Sequence, residues 1–143
     1  MHVAKVLDRK GAQVATIRPT ATVAEALAEL ARLSIGALVV TKDDVVPAGI
    51  ITERDVVRSL NIAGASILKR PVADLMTADV AVCTPSDMVD DIMGRMTDLR
   101  IRHLPVMADG ALCGIVSIGD VVKARIDELE DDHRHLVDYI SAR

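Results

Sequence analysis

Apolar and polar positions along this 143-residue chain fall into a pattern that occurs twice. Val23, Ala26, Leu27 and Leu30 recur at the three- and four-residue spacing of an amphipathic helix, and so do Val89, Ile92, Met93 and Met96. Short apolar runs, Ala37–Val40 and Leu104–Met107, read as strands. Turn-forming Lys42-Asp43-Asp44 and Ala108-Asp109-Gly110 follow them. Gly49–Ile51 and Gly114–Val116 supply a second strand to each pair, and each runs into a further helix. A short strand ends before Pro19 and before Pro85, and Thr20 or Ser86 then offers a helix start.

The two patterns are copies. With a shift of 66 positions, Ile17–Val23 lies over Cys83–Val89, and Ile35–Val40 over Ile101–Val106. With a shift of 65, Gly49–Val57 lies over Gly114–Val122. Three ordered blocks establish a duplication, residues 1–65 and 66–143, with Val72–Met76 opening the second copy as Val3–Leu7 opens the first and Asn61–Pro71 linking them. The fold class expected is α+β (α/β-like), two β-α-β-β-α units. Neither could bury its sheet alone, so they should pack together about a pseudo-twofold axis.

Composition narrows the chemistry. The chain has one tyrosine, no phenylalanine and no tryptophan, so a flat ligand would be gripped by aliphatic side chains. A net charge of −4 and the lack of stacking rings argue against nucleic acid as a partner. No apolar run approaches the ~20 residues of a membrane span and no secretory leader opens the chain, which gives a cytoplasmic expectation. Cys83 and Cys113 lie in separate apolar runs and read as buried reduced thiols. Asp131, His133 and His135 read as a solvated face rather than a metal site, and no nucleotide-hydrolase, dehydrogenase, metalloprotease or nucleophile-elbow motif occurs, so no enzyme is expected.

The recurring polar motif is Thr52-Glu53-Arg54-Asp55, repeated as Ser117-Ile118-Gly119-Asp120, where a strand turns into a helix. A hydroxyl three residues before a carboxylate makes a capping box that satisfies free amides. The same helix start also favours an anion, while the Asp could accept both hydroxyls of a ribose. Copying alone does not choose between them.

The order strand, Pro, helix, then Arg102-His103-Leu104-Pro105-Val106, then Gly114–Asp120 resembles the CBS domain, and two in tandem resemble a Bateman module, from about Val3 to Val122. The resemblance implies a regulatory pair binding AMP, ADP, ATP, NAD or S-adenosylmethionine between repeats, acting on a separate effector protein and forming a homodimer. It implies crossed sites. One takes Thr52, Arg54 and Asp55 with Val82, Cys83, Thr84, Arg102 and His103. The other takes Ser117 and Asp120 with Thr16, Ile17, Arg18, Thr20, Gly36 and Ala37. The first gathers Arg54, Arg102 and His103 for a phosphate, where the second has Gly119, Gly36 and Ala37, so the first should hold phosphorylated ligands more tightly. His103 itself reads equally as a ligand contact or as a packed residue with one satisfied nitrogen.

Beyond Asp120 the helical pattern continues. Val122, Ile126, Leu129, His133, Leu136 and Ile140 form a heptad-like seam. A helix from Gly119 to Ala142 would be ~35 Å long at 1.5 Å per residue, either a dimerisation or docking arm or an amphipathic helix folded onto its own globule. The competing reading of the whole chain is a homodimerisation scaffold whose Thr/Ser-x-x-Asp motifs are only caps and whose ligand sites are degenerate.

Overall fold

The computed structural model describes residues 1–142. The chain runs α1 (Val3–Lys10), β1 (Thr16–Ile17), α2 (Val23–Leu33), β2 (Ala37–Thr41), β3 (Pro47–Thr52), α3 (Glu53–Ala63), α4 (Val89–Leu99), β4 (His103–Ala108), β5 (Ala111–Ser117) and α5 (Ile118–Ser141). In the first repeat β1 pairs parallel with β2, and β2 pairs antiparallel with β3. In the second, β4 and β5 form an antiparallel pair, and the counterpart of β1 shrinks to a single parallel bridge between Cys83 and Val106. Every residue of β2 is buried, which explains an unbroken apolar run where a half-exposed strand would alternate.

Helices α2 and α4 occupy equivalent places, and each ends in a left-handed residue, Ser34 and Arg100, both with φ 54°. Their starts differ from expectation. The cap of α2 is Thr22, in a capping box with Glu25, while Thr20 lies exposed in the preceding turn. Met88 precedes α4 without a side-chain cap, and Ser86 spends its hydroxyl on Thr84. The proline fixes a turn first, and the helix begins only after that turn is complete.

The two repeats exchange their leading segments. Val3, Val6 and Leu7 of α1 sit in the core of the second repeat with Val89, Ile92, Met96, Leu104, Val106 and Val116. The amide of Val3 donates to the Asp87 carbonyl and that of Ala4 to the Pro85 carbonyl. Reciprocally, Ile67 and Val72 sit in the first core with Val23, Leu30, Leu38 and Ile51. The amides of Val72 and Ala73 donate to the carbonyls of Ala21 and Pro19. The stretch Asn61–Pro71 is therefore no loose link: α3 continues to Ala63, and a 3-10 segment, Gly64–Lys69, packs Ile67 fully inside.

Two glycines admit the exchanged segments. A Cβ on Gly114 would stand 2.8 Å from Leu7 Cδ2, and one on Gly49 would stand 2.5 Å from Met76 Sδ and 2.9 Å from the Thr77 carbonyl oxygen. That carbonyl accepts from the Ile50 amide and cannot retreat without losing the bond. Gly49→Ala is expected to cost about 1–3 kcal/mol by overpacking, and Gly114→Ala less, since only a Leu side-chain tip must move. Urea unfolding of the two variants measures the difference.

Helix α5, 24 residues long, extends about 36 Å at 1.5 Å per residue. Val121 and Ala124 are buried against the second core, whereas every residue from Leu129 to Ala142 is exposed. The arm thus projects instead of folding back. No helix among the described residues is long and apolar enough to cross a membrane.

Candidate functional site

Strand β3 delivers Thr52 to the start of α3, where local chemistry fixes its rotamer. The Thr52 hydroxyl accepts from the Asp55 amide (3.3 Å) and donates to Asp55 Oδ2 (3.0 Å), which also accepts from the Thr52 amide (2.9 Å). The motif is a capping box, as is Ser117 with Asp120 at the start of α5. Capping still leaves the other carboxylate oxygen of Asp55, Oδ1, without a hydrogen-bond partner among the described residues.

This helix start opens into a cleft of ≈ 660 Å³ between the repeats. Thr52, Glu53, Arg54, Asp55 and Arg58 line it from the first repeat, with Gly36 and Ile50. Thr77, Asp79, Val80 and Ala81 come from the connecting segment, and the run Leu99–His103 closes it from the second repeat. Arg54 spans the boundary, its Nη1 donating to the Arg100 carbonyl at 3.3 Å. Arg54, Arg58, Arg100 and Arg102 all face the cleft, and none forms an ion pair among the described residues. Four guanidiniums without ion-pair partners can meet an anion with several oxygens, beside the carboxylates of Glu53, Asp55 and Asp79 in the same wall.

Of the first expected set, Thr52, Arg54, Asp55, Arg102 and His103 meet in this cleft. Val82, Cys83 and Thr84 are not part of its wall. Val82 gives its carbonyl to Arg95 at 2.8 Å, Thr84 bonds locally to Ser86 and Asp87, and Cys83 is 2% exposed in the second core. Burial, with the nearby Asp87 carboxylate, pushes the Cys83 thiol up to about 12, which removes it as a nucleophile. His103 is held below the ordinary imidazole value, first by burial and then by the Lys10 ammonium, so its ring is neutral at pH 7 and adds no cation.

Sequence reasoning missed Arg58 and Arg100. Arg58 follows Arg54 by one helical turn, a spacing that places both on one face. Arg100 carried no such signal, because it enters the cleft through a left-handed cap.

The second set is not gathered in the same way. Thr16 Oγ1 donates to Asp44 Oδ1 (3.1 Å), and Arg18 is held by Asp44 Oδ2 (2.8 Å) and the Thr41 carbonyl (2.9 Å). Ile17 packs on the first core, Ala37 is buried in β2, Thr20 is exposed, and Gly36 belongs to the wall of the larger cleft. Asp120 accepts from the Ser117 amide and from Lys10 Nζ at 2.6 Å. Burial works to raise its carboxyl, but Lys10 and Ser117 outweigh that and hold it below the ordinary carboxylate range. Among the described residues no cluster of His, Cys, Asp or Glu could hold a metal ion.

Comparison with known proteins finds related chains and the same fold. The family model of the CBS domain matches residues 4–62 and 72–127. A mitochondrial CBS-domain-containing protein of Arabidopsis thaliana is 42% identical over 83% of this chain, which spans 60% of that relative's length. A CBS-domain-containing protein of Agrobacterium tumefaciens superposes with a TM-score of 0.84 and 46% identity, covering 87% of this chain and 92% of that one. A CBS-domain protein of Pyrobaculum aerophilum, solved in complex with AMP, superposes with a TM-score of 0.73 and 28% identity, over 84% and 89% of the two chains.

Proposed function

The chain belongs to the CBS-domain family, with two repeats, and from that premise we propose that it is a non-catalytic sensor binding one adenine nucleotide in the cleft of Thr52 and Asp55. The observation that carries this reading is the pairing, across one cleft, of a half-satisfied carboxylate with four unpaired arginines. Asp55 Oδ1 accepts from a ribose hydroxyl. Arg54, Arg58, Arg100 and Arg102 take the phosphate. The base lies on the aliphatic wall of Ile50, Val80, Ala81, Leu99 and Ile101, a wall that holds no Phe, Tyr or Trp ring. The volume falls within the ~300–1,000 Å³ usual for small-molecule pockets. The AMP in the Pyrobaculum relative supports an adenylyl ligand here. The sensor acts on a separate effector protein and forms a homodimer, for which α5 offers exposed Leu129, Leu136 and Ile140.

A second reading has its own support. Both Thr/Ser-x-x-Asp motifs are complete caps, and with the exposed face of α5 this favours a homodimerisation scaffold with degenerate sites. Thermal unfolding with AMP, ADP, ATP, NAD and S-adenosylmethionine separates the two. The sensor should gain about 2.7 kcal/mol at ~100 times the dissociation constant of its ligand. No shift with any of them, in an intact dimer, favours the scaffold.

A further inference from the structure

We infer that Lys10 is a built-in plug that closes the second inter-repeat cleft and limits the protein to one nucleotide per chain. The inference rests on the reading of the first cleft as a nucleotide site. Its basis is the pseudo-symmetry of the two repeats.

The pairs Gly49–Met76 and Gly114–Leu7 pack in the same way, so Leu7 and Met76 hold equivalent places, although the chain around Leu7 is helical to Lys10 whereas the 3-10 turn Val72–Asp74 ends before Met76. By the duplication Ile115 stands where the first cleft has Ile50, Asp120 where it has Asp55, and Lys123 where it has Arg58, while Lys10 follows Leu7 by three residues as Asp79 follows Met76. Lys10, Asp120 and Lys123 also lie together along a groove of ≈ 410 Å³ whose walls all belong to α1 and α5. Here a cation is set against the Asp120 carboxylate, on the same oxygen, Oδ2, that accepts from the Ser117 amide in the cap. The Lys10 ammonium donates to Asp120 Oδ2 at 2.6 Å and to the Ile115 carbonyl at 2.9 Å. In the first cleft Asp79 leaves the Asp55 carboxylate with no cation upon it.

The plug is held in place. Val3, Val6 and Leu7 fix α1 in the core, the Met1 ammonium pairs with Glu128 at 3.1 Å, and Arg9 pairs with Asp127 at 3.4 Å. Lys10 is the last residue of that anchored helix, so its ammonium is presented to Asp120 without ordering a free chain end. The counterparts of the cleft arginines Arg54, Arg100 and Arg102 are Gly119, Ser34 and Gly36, so no guanidinium from those places competes for the carboxylate.

Isothermal titration with AMP tests this in the full chain, with circular dichroism as the check on folding. Wild type is expected to take one AMP per chain, lost in Asp55→Ala. Lys10→Met keeps the aliphatic stem and Lys10→Gln keeps the length. Either should admit a second AMP, and adding Asp120→Ala should remove that second event alone. One AMP per chain in both wild type and a folded Lys10 variant overturns the plug and leaves the sensor standing. Two per chain in wild type also overturns it, a result that needs no variant to fold. If no form binds AMP, nor ADP, ATP, NAD or S-adenosylmethionine titrated in its place, the nucleotide reading falls and the plug with it.

Discussion

Ile67→Ala is expected to destabilise the protein by about 2–5 kcal/mol, the usual loss when a large aliphatic side chain is truncated in a closed core. The residue lies in the segment between the sequence repeats, where a connector would ordinarily tolerate change. Yet its side chain is fully buried with Val23, Leu38, Ile51 and Val72. Ile62, five positions earlier on α3, is 84% exposed and is the control: Ile62→Ala should stay within about 0.5 kcal/mol. Against a total stability of ~5–15 kcal/mol for an ordinary domain, the Ile67 loss should lower Tm on the order of 10 °C. Because α1 closes the second core while Ile67 and Val72 close the first, the two repeats should still melt in one transition. Calorimetry that resolved two transitions in the variant would show the repeats to be independent.

The second large effect concerns Asp55. Asp55→Asn keeps an amide oxygen able to accept from the Thr52 amide, so the cap survives and stability should change by less than about 1 kcal/mol. A ribose hydroxyl, however, loses a charged acceptor. A hydrogen bond to a charged group contributes about 1.5–3 kcal/mol, which predicts roughly 10- to 100-fold weaker binding of both AMP and adenosine. Arg102→Ala should instead weaken AMP while barely affecting adenosine, since a guanidinium answers to phosphate. Titration calorimetry of the two ligands against both variants reads this split. Equal loss of stability and affinity in Asp55→Asn would mean that the carboxylate serves only as a cap. Loss of binding in Asp120→Asn with Asp55→Asn unaffected would move the site to the second repeat.

Much of this was legible from the chain alone, and particular residues show why. Strand and helix periods in each copy are strong because the cores are built of aliphatic side chains, with Met and Cys, at regular spacing. The strand-to-helix turn at Thr52 is local, and its capping box is written in four consecutive residues. The crossing of Arg102 and His103 into the cleft of the other repeat came with the family resemblance, not from periodicity. What stayed hidden was long-range. Nothing near Lys10 marks Asp120 as its partner 110 residues away, and nothing near Val3 assigns it to the second core. Val82, Cys83 and Thr84 went astray because the strand that carries them shrinks to one bridge in the second repeat, so the cleft is walled by Val80 and Ala81 instead.

The scarcity of aromatic rings has an optical consequence. Tyr139 is the chain's single aromatic residue, and it lies 61% exposed near the end of α5, far along the arm from the capped start of that helix. Intrinsic emission therefore comes from the arm alone and is silent about the cleft. A change in Tyr139 fluorescence on adding nucleotide would report, without any label, that occupancy of the cleft has reached the projecting helix.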